Sequence, residues 1–529
     1  MPTDHQEVEW QFDAGDVTAV ARWLREQPAD AAVQATFRAD AEQNDTYFDT
    51  DDWRILRAGY ALRVRRSAAG GAEATLKSLH AAEKGVRQRR EINEALGGDG
   101  SASDIAAAPG AVGQRVRAIA GPRRIRALRA IFEVHTRRSV YELTCGGEPA
   151  GEVDLDSTDF PGDGAVPGAV MQRVEVEVND PPAHTIRAFV KRMRKACGLR
   201  DAALSKFEAG LNARRLQPRE IAGEDFGPTQ IDADSAVGDL AYAALRQNFA
   251  AMLAHEPAVR LGESAHDVHQ MRVATRRLRA GLSLLKDLLP APAAKLRGEL
   301  SRLAAALGAL RDHDVMLSQV EAWAGESDAE LAQAVYQPVA ALLAESRSAE
   351  YGRLLEFLNS PRYERLLAAF TRFLKTPAAL PDTACEPARE VMPPAILRRY
   401  RRLRRLGDRL TPQSPPADYH RARIAAKRLR YSLEFVTSLY GKPARRALAR
   451  MVALQDMLGL YQDTHMAVAR LRAMSALPQR PPQALFALGQ TAQCYEQQAA
   501  MLLKKFPAAY AKMRGSDWRR LKKALRKSS

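Results

Sequence analysis

The sequence predicts an α+β chain, with an antiparallel strand domain first and an all-helical region behind it. Three observations carry this. Short segments that alternate with period two are spread through residues 1–212. From about residue 233, Ala, Leu and Arg take over at helical spacing. And one basic helical segment, His269–Arg279, returns 151 residues later as His420–Arg430, followed each time by a Leu-Gly pair (Leu307-Gly308, Leu458-Gly459) and an Asp (Asp312, Asp463).

In chain order, Glu7–Phe12, Leu62–Arg65 and Arg173–Val178 read as strands. Gly70-Gly71, Gly97-Gly98 and Gly146-Gly147 read as turns between strands. Asp16–Gln27 and Pro182–Cys197 read as helices. Residues 213–232 hold Pro218, Gly223, Gly227 and Pro228 and read as a linker. The helical domain is expected over 233–521, with Pro290, Pro292, Pro338, Pro361, Pro377 and Pro381 punctuating helices and Thr411–Pro416 separating the two repeats. The basic run Trp518–Ser529, with a tail over 522–529, reads as a frayed solvated end.

At 529 residues the chain exceeds one core, so two or three domains are expected. A net charge of +16 predicts anionic partners: nucleic acid, polyphosphate or a membrane surface. Aromatics make up 6% and are nearly missing from the basic helices, whereas single-strand nucleic-acid binders stack bases on aromatics. A polyanion with only a backbone is favoured and nucleic acid disfavoured. Cys145, Cys197, Cys385 and Cys494 are scattered, against a zinc site or a disulfide scaffold. Residues 1–13 do not read as a signal peptide, and no apolar run reaches the roughly 18 residues of a membrane span. A cytoplasmic protein is the expectation, with oligomeric state open.

Wound at about 100° per residue, the first copy puts His269, Arg272, Arg276 and Arg279 on one stripe and Met271, Leu278, Leu282 and Leu285 on another. The second copy repeats both: His420, Arg423, Lys427 and Arg430 against Leu429, Leu433 and Val436. Like charges at i, i+3 and i+4 repel. A chain that accepts this twice, in one register, calls for an anion. His269 and His420 either titrate near neutrality or serve as neutral donors. Asp312 and Asp463 either hold an Arg or cap a helix. Arg398, Arg402 and Arg405 share a face that is either a further wall or solvated.

In the strands the other parity is charged: Glu7, Glu9, Arg63, Arg65, Arg89, Glu91, Glu175 and Glu177. A barrel with a charged lumen accounts for all of them together. Cations would neutralise phosphate oxygens, and Glu pairs would hold Mg2+ or Mn2+.

Glu7-Val8-Glu9, Tyr47-Phe48-Asp49, Leu62-Arg63-Val64-Arg65, Thr75-Leu76-Lys77, Arg89-Arg90-Glu91 and Glu175-Val176-Glu177 form an ordered series that resembles the CYTH family, the triphosphate tunnel metalloenzymes. The resemblance covers about residues 5–212 and implies an eight-stranded antiparallel barrel that binds or hydrolyses triphosphates. It implies Glu7, Glu9, Lys77, Arg89 and Glu91 as catalytic residues, and Arg63, Arg65, Lys77, Arg138 (or Arg137) and Lys206 as triphosphate ligands. It implies Glu7, Glu9, Glu175 and Glu177 as metal ligands. Two positions depart: Gln11 stands where the family has Lys, and Asn93 where many members have a second Glu. Turnover is the property these departures touch.

The doubled basic helix with its Leu-Gly and Asp resembles the CHAD domain over about residues 233–521. That implies two pseudo-symmetric four-helix halves and inorganic polyphosphate bound by His269, Arg272, Arg276, Arg279, His420, Arg423, Lys427 and Arg430. The expected function is polyphosphate binding with a metal-dependent inorganic triphosphatase in the tunnel. The alternative is a non-catalytic polyphosphate-granule targeting protein.

Overall fold

A computed structural model describes residues 3–28, 31–67, 70–79, 86–162, 168–178, 184–232, 234–377, 380–477 and 481–527, the side chains of 3–7, 86–88 and 527 excepted. The chain forms two compact units, residues 1–220 with 257–261, and residues 221–256 with 262–529.

The first unit holds β1 (Thr3–Asp13), α1 (Val17–Arg25), β2 (Val33–Thr50), α2 (Arg54–Arg57), β3 (Tyr60–Arg66), β4 (Ala72–Ser78) and β5 (Val86–Leu96). It continues with α3 (Ala102–Ala107), α4 (Ala111–Arg124), β6 (Leu128–Cys145), β7 (Glu148–Phe160), β8 (Ala169–Val178), α5 (His184–Ala196), β9 (Arg200–Asp201) and α6 (Lys206–Ala213). The sheet runs β5-β4-β3-β2-β6-β7-β8-β1-β9, and a β5–β1 pairing closes eight antiparallel strands into a barrel. Gly146 and Gly147, both at positive φ, make the two-residue turn between β6 and β7.

The barrel is apolar outside and charged along most of its interior, with an apolar end at Tyr47, Phe132 and Phe207. Val8, Trp10, Phe12, Val174 and Val176 point outward and are buried by α1 and α5 through Val20, Leu24, Ile186 and Phe189. Leu62, Val64, Leu76 and Ile92 are buried by α3 and α4 through Ile105, Val112, Val116 and Ile119. Helices thus take the place of water on the outer wall. The charged parity is left to the lumen.

The second unit is helical: α7 (Val237–Leu261), α8 (Ala265–Leu284), α9 (Pro292–Glu326), α10 (Ala329–Leu331), α11 (Gln337–Asn359), α12 (Pro361–Lys375), α13 (Ala388–Gly407), α14 (Pro416–Phe435), α15 (Thr437–Ser475), α16 (Pro482–Met513) and α17 (Ser516–Lys527). The duplication is visible in the boundaries. α14 begins and ends 151 residues after α8, and α13 begins 151 residues after α7. Pro292, which opens α9, corresponds to Pro443, just past the non-helical Gly441 in α15. The two repeats also bond reciprocally. Val237 N–H donates to Glu386 O at 2.9 Å, and Ala388 N–H donates to Ser235 O at 3.0 Å. Each bond is the other's image under the 151-residue shift, which defines a pseudo-two-fold relation.

The expected apolar stripes are core: Met271, Leu278, Leu282 and Leu285 in one copy, Leu429, Leu433 and Val436 in the other. The run from Trp518 differs from the frayed end read from its charge. It forms α17 up to Lys527, with Trp518 stacked on Tyr400 at 3.7 Å and Leu521 and Leu525 fully buried. Apolar residues spaced three and four apart give the run one buried face, and the basic residues take the other.

Leu521→Ala should therefore cost about 2–5 kcal/mol, while Lys522→Ala stays within about 0.5 kcal/mol. Denaturant unfolding of the full chain checks this, and equal effects would return α17 to a solvated tail.

Candidate functional site

Strand register assembles the lumen. On neighbouring strands it pairs Lys77 with Glu91, Arg63 with Thr75 and Tyr47, Asp45 with Arg65, Gln11 with Glu175, Glu9 with Glu177, and Arg138 with Asp156. Facing residues of an antiparallel pair share one side of the sheet, so these all point inward together. The lumen encloses a cavity of about 150 Å3 whose lining includes Arg63, Arg65, Lys77, Arg89, Glu91, Arg138, Glu175, Glu177 and Lys206. All nine were singled out from sequence. Glu9 lies buried behind this lining, 3.8 Å from Lys77 Nζ and 3.6 Å from Arg89. The Glu7 side chain lies outside the described residues; its backbone pairs with Arg89.

Three carboxylates missed in the sequence hold the cations in place. Asp45 takes Arg65 in two bonds of 2.7 and 2.9 Å and lies 3.6 Å from Arg63. Burial opposes its ionisation, yet Arg63 and Arg65 hold it at about 2. Asp156 takes Arg138 at 2.7 and 2.6 Å and Lys206 at 2.8 Å. Asp154 also bonds Arg138, but burial, with Asp156 and Glu175 adding to it, pushes its carboxyl up to about 7. Val153-Asp154-Leu155-Asp156 has the same alternation as Glu175-Val176-Glu177, so the signal was present.

Glu175, expected on a metal, accepts from Arg138 at 2.9 Å and from the Gln11 amide at 2.9 Å. Burial disfavours its charge, but Lys206 and Arg138 hold it well below the usual carboxylate range. Glu177 makes no ion pair among the described residues. It stands in one cross-strand row with Glu9 and Glu152, and burial and then Glu152 raise its pKa. Like charges directly opposite one another disfavour the sheet unless a cation joins them. In this row Glu9 is approached by Lys77 and Arg89, whereas Glu177 is not ion-paired among the described residues.

Both departures are bonded into the lumen. The Gln11 amide donates to Glu9 at 3.1 Å as well as to Glu175. Asn93 donates to Glu91 at 3.1 Å and accepts from Thr75 at 2.7 Å, and Thr75 in turn accepts from Arg63 at 3.2 Å. Burial would raise Glu91, but Lys77 and Arg63 hold it at about 2.

In the helical unit α8 packs on α14, and their basic stripes meet. Lys427 is pushed down to about 7, by burial first and then by Arg276, Arg423, Arg272 and Arg279. Burial also pulls Arg276 down, and its guanidinium lies 5.7 Å from the Tyr431 ring centroid. The buried Nε atoms of Arg276 and Arg423 have no hydrogen-bond partner. Burial and then Arg311 hold His269 below its ordinary value, which favours the neutral ring. His420 is exposed and bonds Gln462 at 2.9 Å.

Asp312 and Asp463 lie inside α9 and α15 and are not helix caps. Asp463 is 4.0 Å from Arg423, whereas Asp312 faces Arg470 at 3.7 Å. Arg398, Arg402 and Arg405 lie on α13, which packs on α14. Among the described residues no group of three potential metal ligands gathers and no helix is long and apolar enough to cross a membrane.

The family models coincide with these units. A CYTH domain matches residues 18–210 and a CHAD domain matches residues 243–472. The chain carries a CYTH domain followed by a CHAD domain. Among solved structures, the CHAD domain from the plant Ricinus communis is 30% identical, over 55% of this chain and 96% of that one, with a TM-score of 0.47. PptA from Streptomyces chartreusis is 18% identical over 52% of this chain and 99% of that one, at a TM-score of 0.43. HpAC1 from Hippeastrum, described with a dominant triphosphatase activity, is 18% identical over 39% of this chain and 96% of that one, at 0.32. No curated protein matches the chain.

A phosphate chain beside Lys427 would return its pKa toward the ordinary lysine value. Above about pH 7, binding must then take up a proton, and affinity must fall as pH rises through that point. Calorimetry with inorganic polyphosphate in buffers of different ionisation enthalpy reads that proton. Lys427→Arg should abolish the uptake, and an unmodified chain that binds without uptake contradicts the assignment.

Proposed function

We propose that the CHAD domain binds inorganic polyphosphate along the joined stripes of α8 and α14, and that the CYTH domain is a metal-dependent inorganic triphosphatase. The observation that carries the first half is a cluster of half-buried cations, of which Arg272, Arg276 and Lys427 make no ion pair among the described residues. Two buried Nε atoms lack acceptors, and a lysine is pushed to about 7 by burial and by the arginines around it. An unpaired buried donor costs about 1–3 kcal/mol, and phosphate oxygens supply the missing acceptors. Scarce aromatics at the cluster favour a polymer without bases. Association with polyphosphate granules in the cytoplasm follows from this reading.

In the tunnel, Arg63, Arg65, Lys77, Arg138 and Lys206 would hold a triphosphate. Asp45, Asp154 and Asp156 fix the guanidinium groups before the substrate arrives, so little reorganisation accompanies binding. Mg2+ or Mn2+ held by Glu9, Glu177 and Glu7 would supply a Lewis acid at a phosphoryl oxygen. Glu91, ionised at neutral pH, can orient an attacking water. Arg89 and Lys77 lie 3.6 and 3.8 Å from Glu9.

Gln11 favours a second reading, a non-catalytic tunnel in a polyphosphate-granule targeting protein. Its amide occupies Glu9 and Glu175 with a neutral donor where the family supplies a positive charge.

Phosphate release from tripolyphosphate with Mg2+ or Mn2+ separates the two readings. The enzyme reading expects metal-dependent release that Glu9→Gln reduces at least roughly a hundredfold while polyphosphate binding by the helical unit persists. Absence of release with either metal leaves the binding reading. Gln11→Lys then locates the defect: activity restored by that change assigns it to the missing charge.

A further inference from the structure

The pseudo-two-fold site is not two-fold in charge. Each feature of the first copy can be compared with its partner 151 residues on. Arg311, beside His269, becomes Gln462, whose amide oxygen bonds His420. Arg276 becomes Lys427. Ser283 becomes Glu434 and Ala305 becomes Asp456, so beside the second stripe stand two carboxylates that these positions of the first copy lack. Both act on the stripe. Arg430 donates to Glu434 at 2.7 Å and lies 3.4 Å from Asp456. Its counterpart Arg279 has a hydroxyl, Ser301, at 3.1 Å and makes no ion pair among the described residues. Nor do Arg272, Arg276 and Arg311, and the neighbouring Asp312 is engaged by Arg470.

We infer that phosphate is gripped unequally, tightly by Arg272, Arg276, Arg279 and Arg311 on the first-copy wall and weakly by the second-copy wall, where Glu434 and Asp456 hold Arg430 back. This rests on the polyphosphate reading of the cluster. An anion reaching Arg430 must displace two carboxylates, whereas at Arg279 it displaces one neutral hydroxyl. The carboxylates also repel a phosphate directly. A chain held firmly along one wall and loosely along the other can exchange its loose side without leaving the protein. Symmetric fusion of two good grips would not allow that.

The full chain with an inorganic polyphosphate of defined length tests this. Arg279→Ala should weaken binding about tenfold and Arg430→Ala less than about threefold. Glu434→Gln/Asp456→Asn should tighten binding and steepen the plot of log affinity against log salt by about 0.7, the slope for each additional phosphate neutralised on a single-stranded polyanion. Glu434 also accepts from Arg277 at 3.2 Å, so Asp456→Asn alone is the fallback should the double variant not fold. It changes an exposed carboxylate and is expected to act in the same direction. Equal losses for the two Arg variants, or unchanged affinity and slope on removing the carboxylates, overturn the inequality. If the unmodified chain binds no polyphosphate even at low salt, the underlying reading falls and this one with it. If it binds and only the inequality fails, the reading of the cluster stands.

Discussion

Charge held away from water is the constraint on which both units are built. An ion moved into a protein interior loses hydration worth several kcal/mol and recovers it only through a partner. The barrel meets the constraint internally. Asp45, Asp156 and Glu175 each sit on a cation, and strand register fixes those pairs as rigidly as it fixes the sheet. The helical unit leaves part of the same cost standing. Arg276 and Arg423 keep buried donors without acceptors, and the charges that shift Lys427 most are cations. One unit pairs its buried cations internally, and the other leaves several of them without an ion pair among the described residues. On the proposed reading the former would orient a short triphosphate and the latter retain a long polyanion.

The barrel places its apolar residues outward because helices cover it. Val8, Trp10 and Phe12 face α1 and α5, and Leu62 and Leu76 face α3 and α4. That inversion explains why one parity of the strands could carry so many charges without facing solvent. Two-period alternation alone does not distinguish a wet outer face from a lumen. Paired charges of both signs in several strands did so here, because a solvated face has no need of such pairing. Arg63, Arg65, Arg89, Glu91, Glu175 and Glu177 were legible from that pairing, whereas Lys77, Arg138 and Lys206 came only with the family resemblance.

What escaped the sequence had physical causes. Asp45 falls within an 18-residue strand, β2, whose long polar middle hides the alternation. Asp154 and Asp156 carried the right pattern but no motif drew the eye to it. α17 was hidden by its charge: five cations over Trp518–Lys523 and Arg526 outweigh three buried apolar residues in composition, though not in packing. Glu175 was assigned by spacing to the same task as Glu177. Register separates them, since Glu175 faces Gln11 and Asp154 while Glu177 faces Glu9 and Glu152. In the helical unit the 151-residue offset of the duplication was legible in the sequence and the ends of α8 and α14 came with the structure, whereas the drift between copies at Glu434 and Asp456 acquires meaning only when Arg430 is seen between them.

The central claim is that the cluster on α8 and α14 is unfavourable until an anion fills it. Arg276→Met tests it most directly, since Met fills similar space without a buried charge. Thermal unfolding of the unmodified chain and of this variant is compared with and without inorganic polyphosphate. The account predicts that the variant melts higher in the absence of ligand, and that the unmodified chain is stabilised more on its addition, because only the folded state binds. A variant that melts lower without ligand, or is stabilised by polyphosphate as much as the unmodified chain, would contradict it.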